Sequence, residues 1–217
     1  MVSVNFASLV AAAALAVSGV QAHVTCNPNV APNAGYFVTD IRVPHSFPGS
    51  NTINITVKIP DGVTSVKPQL IAGWKIDLAM RPLNPPIVSD GTTINTTVDT
   101  ITWYGGVLSN DYYADFGINM KLPNVTEGSK LYFPATQITT NSTGINVPLA
   151  WAAIPDANGT FPAGADSAHP APSITLWTGG VAPAPSPSTS AKSGAIQIAG
   201  TFVASVATVA SLFAMVF

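Results

Sequence analysis

The chain has 217 residues, 8% of them charged, and a formal net charge of −2. With no basic patch, the composition excludes nucleic acid as a partner class. Cys26 is the sole cysteine, so no intrachain disulfide can form and the fold must stand on its core.

From the amino terminus, residues 1–22 read as a signal peptide. Residues 7–20 are apolar or small, and Val20-Gln21-Ala22 ends the run with small residues of the kind a signal peptidase recognises. The run is too short to span a bilayer, which takes about 20 apolar residues, and Asn27-Pro28-Asn29 soon stops it. Cleavage after Ala22 makes His23 the first residue of the mature chain.

Residues 23–177 have the length of one domain, and a domain of that size buries roughly 70% of its unfolded surface. Pro, Gly, Asn and Thr interrupt it every few residues, and no long stretch keeps a helical period. Alternation is present instead. Ile53, Ile55, Val57 and Ile59 are apolar while Asn54, Thr56 and Lys58 are polar, the mark of a half-buried strand. Further strands are expected over residues 35–43, 63–71, 74–78, 92–103, 115–122, 130–136, 147–151 and 173–177, with Asp61-Gly62 as the clearest turn. Many short strands between turn residues predict an all-β fold, a single Greek-key β-sandwich of the immunoglobulin or cupredoxin kind.

Residues 178–193 follow as a Pro/Ser-rich stalk with no capacity to build a core. Residues 194–217 end the chain in a tail that is apolar or small, apart from Thr and Ser, from Gly200 to Phe217. Small residues, a spacer and a terminal apolar tail form a glycosylphosphatidylinositol (GPI) anchor signal. Ser193 is the favoured attachment residue, and Ser188 is the alternative with the longer spacer. The protein is therefore expected on the extracellular face of the plasma membrane or in the cell wall. Export also accounts for five N-glycosylation acceptor patterns, at Asn54, Asn95, Asn124, Asn141 and Asn158. Each predicts an asparagine facing solvent in a eukaryotic secreted glycoprotein.

Catalytic machinery is hard to assemble from these residues. Glu127 is the only glutamate, in a glycosylatable turn, and no nucleophile elbow, phosphate-binding loop or His-Glu-x-x-His is present. Cys26 reads as a small buried side chain. His23 differs. A mature N-terminal histidine presents its α-amine and its Nδ1 as one chelate, and two nitrogen donors suit Cu(II), the strongest binder among divalent first-row metals.

The motifs supply context. Ala22-His23-Val24-Thr25, Gly35-Tyr36, Arg42-Val43-Pro44-His45 with Gly49-Ser50, Ile59-Pro60-Asp61-Gly62-Val63, Lys67-Pro68-Gln69 and Gly73-Trp74 occur in order. They continue with Ile101-Thr102-Trp103-Tyr104-Gly105-Gly106, Tyr113-Ala114-Asp115-Phe116, Leu131-Tyr132-Phe133-Pro134-Ala135-Thr136-Gln137, Trp151 and His169-Pro170-Ala171-Pro172. Together they resemble the YcnI-like domain family over nearly the whole domain, in a eukaryotic, fungal, GPI-anchored form. The resemblance implies an exported β-rich domain that binds copper and serves copper handling rather than catalysis. It implies a site built from the N-terminal histidine, an acidic ligand and a nearby tryptophan. His23 matches the first and Trp151 the last. The acid departs from the pattern, because no glutamate lies in the matching regions. Asp115, Asp111 or Asp40 must replace it, or His45 or His169 must supply a nitrogen. The ligand set expected on this basis is His23, His45, Asp115 and Trp151.

Three functions compete. The first is a cell-surface protein that captures, buffers or transfers copper. The second is an oxidative copper enzyme similar to the polysaccharide monooxygenases, which place a second histidine on the metal. The third is a structural wall protein with no metal.

Overall fold

The computed structural model describes residues 23–182 apart from Asp90. The expected signal peptide (1–22), residues 183–193 of the expected stalk including Ser193, and the expected anchor tail (194–217) lie outside the described residues. Twelve strands follow in order: β1 (Thr25–Asn27), β2 (Val30–Pro32), β3 (Gly35–Val43), β4 (Ser50–Lys58), β5 (Thr64–Pro68), β6 (Lys75–Ser89), β7 (Thr92–Leu108), β8 (Ala114–Leu122), β9 (Lys130–Tyr132), β10 (Ala135–Asn141), β11 (Asn146–Trp151) and β12 (Ser173–Trp177). They form a four-stranded sheet in the order β1-β3-β8-β5, a five-stranded sheet in the order β11-β10-β4-β7-β6, and a three-stranded sheet in the order β2-β12-β9. The expected all-β sandwich is what the chain forms.

Alternation builds the core. Ile41 and Val43 of β3 and Phe116, Ile118 and Met120 of β8 face Ile55 and Val57 of β4 and Ile101 and Trp103 of β7. Most polar residues of the same strands turn outward, as a period of two requires, while Thr39, Ser50, Thr52 and Thr97 are buried. Three aromatic rings bind the two larger sheets. Phe116 receives Trp74 edge-on at 5.1 Å and Trp103 at 5.4 Å between ring centroids. Gly106 is required beneath Trp74, since a β-carbon there would lie 2.4 Å from the indole.

The strand limits differ from expectation in instructive places. Residues 35–43 form β3 as expected. Strand β6 runs to Ser89, far past residue 78, although Pro82, Pro85 and Pro86 lie within it. It is an edge strand, where proline is tolerated, and its pairing with β7 breaks between Pro82 and Ile87. Residues 130–136 divide into β9 and the start of β10, because Phe133 and Pro134 carry the chain from one sheet to another. The short strands β1 and β2 have no alternating run to announce them. The turn at Asp61-Gly62 is present, with Gly62 at φ +81°.

The half-buried strand near residue 55 contains a surprise. Ile55, Val57 and Ile59 are buried as expected, but Ile53 is only half-buried. Pairing with β7 shifts between Thr52 and Asn54, and pairing with β10 shifts between Ile138 and Thr139. The resulting bulge reverses the inward phase, so Ser50 and Thr52 point into the protein.

Cys26 is buried on β1, and burial pushes its thiol up to about 12 despite a hydrogen bond with Thr39. The folded state therefore favours the neutral thiol. This contribution is intact below the ordinary thiol value of 9.0 and declines as pH rises toward about 12. Thiol reagents at pH 8 are expected to label Cys26 only at the rate of global unfolding. Fast labelling of native protein would contradict its placement.

Of the asparagines in acceptor patterns, Asn95, Asn124, Asn141 and Asn158 are exposed, and Asn54 is half-buried on β4. The Asn141 carboxamide oxygen accepts from the backbone amides of Thr143 and Ile145, fixing the turn after β10.

Candidate metal centre

His23 stands immediately ahead of β1. Val24 is buried, and β1 pairs antiparallel with β3 through Thr25 opposite Arg42, Cys26 opposite Ile41 and Asn27 opposite Asp40. These contacts anchor the chain one residue after His23, which remains exposed. Its imidazole meets the indole of Trp151 at 5.9 Å between centroids, with planes at 62°.

Trp151 ends β11 and is 2% exposed. Its Nε1–H donates to Oε1 of Gln137 at 3.0 Å, and the Gln137 amide nitrogen donates to Oγ1 of Thr52 at 2.7 Å. Gln137 and Thr52 are also buried. The bulge in β4 that turns Thr52 inward thus completes a polar relay holding the indole in one orientation. A carboxamide suits this place because it accepts at one atom and donates at the other. Gln137→Leu is expected to cost about 1–3 kcal/mol, the penalty for leaving the buried indole N–H without a partner. Denaturant unfolding with unchanged m-value checks it. A Trp151→Phe cost that is the same in the native and the Gln137→Leu backgrounds would show that the relay has no energetic role.

His169 completes the group at the same indole, 4.7 Å from Trp151 between centroids at 65°. Residues 152–172 leave β11 and return to it. Ala152 N–H and Ala153 N–H both donate to the carbonyl of His169, at 3.1 and 3.2 Å, and Ala171 N–H donates back to Ala153 at 2.8 Å. The His169 Nδ1–H donates to Oδ2 of Asp166 at 2.6 Å.

The remaining expected ligands do not join this group. Asp115 on β8 lies directly across from Arg42 on β3 and accepts both guanidinium bonds at 2.8 Å. Arg42 also lies over the Tyr113 ring at 4.9 Å. Burial, and then the Asp115 charge, push the nearby Asp40 carboxyl up, while Arg42 opposes the shift. His45 is exposed beyond the end of β3, and its Nδ1–H donates to the Ser46 carbonyl at 3.1 Å. With Asp111, Tyr112 and Tyr113 it lines an open cleft of about 440 Å³. Among the described residues no three His, Cys, Asp or Glu side chains gather closely enough to hold a metal ion. The set of His23, His45 and Asp115 is therefore not assembled: a cross-strand ion pair engages the aspartate, and the loop after β3 holds the histidine in a turn.

Sequence reasoning passed over Gln137 and Thr52 as supports and gave His169 a minor place. The signal for Gln137 lay in a motif quoted for other reasons. For His169 it lay in the i, i+3 spacing of Asp166 and His169. The nitrogens that remain, from the His23 and His169 imidazoles and from the amine that the expected cleavage would free at His23, fit copper in chemical type.

No curated protein matches the chain. A solved structure described as an uncharacterized protein from Nocardia farcinica with an immunoglobulin-like fold is similar, at 29% identity and a TM-score of 0.49, covering 72% of this chain and 99% of that one. Residues 23–176 match the family described as Domain of unknown function (DUF1775), the group that contains the YcnI-like domains, and the chain belongs to that family.

Proposed function

We propose that the protein is an exported, cell-surface copper-binding module that holds one copper ion at its mature amino terminus and captures, buffers or passes it on. The observation that carries this reading is the packing of the His23 imidazole against the buried Trp151 indole, 5.9 Å away. The start of the family match at residue 23 supports it, because a domain that begins at a histidine presents amine and ring together. Copper supplies a redox-active Lewis acid. The protein's own residues would hold and shield it: His23 would supply the chelating nitrogens, and the buried Trp151 indole beside it would flank the site. The relay through Gln137 and Thr52 keeps the indole from turning away. The anchor signal read in residues 194–217 supports a location at the membrane or wall, with attachment through Ser193.

The experiment is a copper titration of the processed protein against a chelator of known affinity. Stoichiometric binding of one copper ion, with quenching of Trp151 emission that Trp151→Phe removes, is the expected result. Absence of binding under those conditions would leave the structural wall protein as the surviving reading. A second reading, an oxidative copper enzyme, gains from His169 beside the same indole. Peroxide-dependent cleavage of glycans by the copper-loaded protein separates it from the first.

A further inference from the structure

We propose that His169 is a metal ligand in this chain, and that Asp166 positions it, so that the copper site is made of nitrogen donors against Trp151. This rests on the copper reading above and names its missing donor. Two carboxylates that could otherwise serve are engaged elsewhere. Asp115 is held by Arg42 through two bonds of 2.8 Å. Glu127 accepts from the backbone N–H and hydroxyl of Thr178.

His169 is free at the atom that matters. Its Nδ1–H is taken by Asp166 at 2.6 Å, which fixes the tautomer and leaves Nε2 with an available lone pair. A carboxylate behind a histidine is the arrangement that orients imidazole ligands and raises their basicity. The residue is also held from behind: its carbonyl accepts two amides, from Ala152 and Ala153, directly after Trp151. The Asp166 carboxylate also accepts the Ala168 amide at 3.2 Å, so one side chain closes the turn and orients the imidazole. The His169 side chain is 18% exposed, partly buried against the indole. His23 approaches the same indole from the exposed terminus.

Pulsed electron paramagnetic resonance on Cu(II)-loaded, processed protein counts coordinated imidazoles through their remote nitrogens. Two are expected in the native protein and one in His169→Gln, with Cu(II) affinity lowered ~10–100-fold, the range for losing an oriented ligand or its support. Asp166→Asn is expected to keep both imidazoles while weakening affinity by about tenfold. Circular dichroism and the melting temperature confirm that each variant is folded, and His169→Asn provides a second replacement if the glutamine disturbs the loop. One coordinated imidazole in native protein, with affinity unchanged by His169→Gln and lost in His23→Ala, would overturn this inference and leave the copper reading standing. No stoichiometric copper in native protein would overturn both.

Discussion

A single glycine placed ahead of His23 is expected to weaken Cu(II) binding by orders of magnitude and to leave the melting temperature unchanged. The extension moves the amine away while preserving the imidazole, so it removes the chelate and nothing else. His23→Ala does the reverse, keeping an amine without a ring, and is expected to weaken binding similarly. Neither change should alter folding, because His23 is exposed and the chain is anchored from Val24 onward. Both donors must be deprotonated to bind metal, so affinity should fall as the solution is acidified below neutrality. Competition titration of the two amino termini decides the matter. Equal affinity would mean that the first residue has no part in the site.

Trp103→Ala is expected to destabilise the domain by about 3–5 kcal/mol, the usual range for removing a large aromatic side chain from a close-packed core. Trp103 is fully buried on β7, leans on Phe116 of β8 at 5.4 Å, and donates its indole N–H to the carbonyl of Gln69 at 3.1 Å. It therefore joins the two larger sheets and supports the segment after β5. Since whole-domain stabilities run about 5–15 kcal/mol, this one change should consume a large share. Urea unfolding measures it, with Trp103→Phe as a milder control that keeps a ring and loses the hydrogen bond. A loss below about 1 kcal/mol would contradict the central place given to this ring.

The architecture was legible because its signal is periodic. Ile55, Val57 and Ile59 alternate with polar residues and are buried as that pattern demands. What escaped notice was not periodic. The bulge at Ile53 depends on pairing with two neighbouring strands at once, and no window of one strand reports that. Strand β6 was cut short on paper because prolines read as stops wherever they fall, whereas an edge strand leaves one side without partners. The site divides in the same way. His23 and Trp151 stand out, one by its place after the cleavage signal and the other by its motif. The tie between Asp115 and Arg42 follows from strand register, and the return of residues 152–172 to β11 follows from loop closure. Both are long-range facts that local sequence does not encode.

The prolines of β6 have a bearing on crowding. An exposed strand edge is a template on which another molecule can extend the sheet. Along β6, Pro82, Pro85 and Pro86 offer no amide hydrogen. Arg81 is turned back to the carbonyls of Ile59 and Pro60 at 2.7 Å and paired with Asp61 and Asp99. A neighbour approaching this margin meets gaps in the hydrogen-bond ladder. Packed side by side at high density, copies of this domain should therefore not join through the β6 margin.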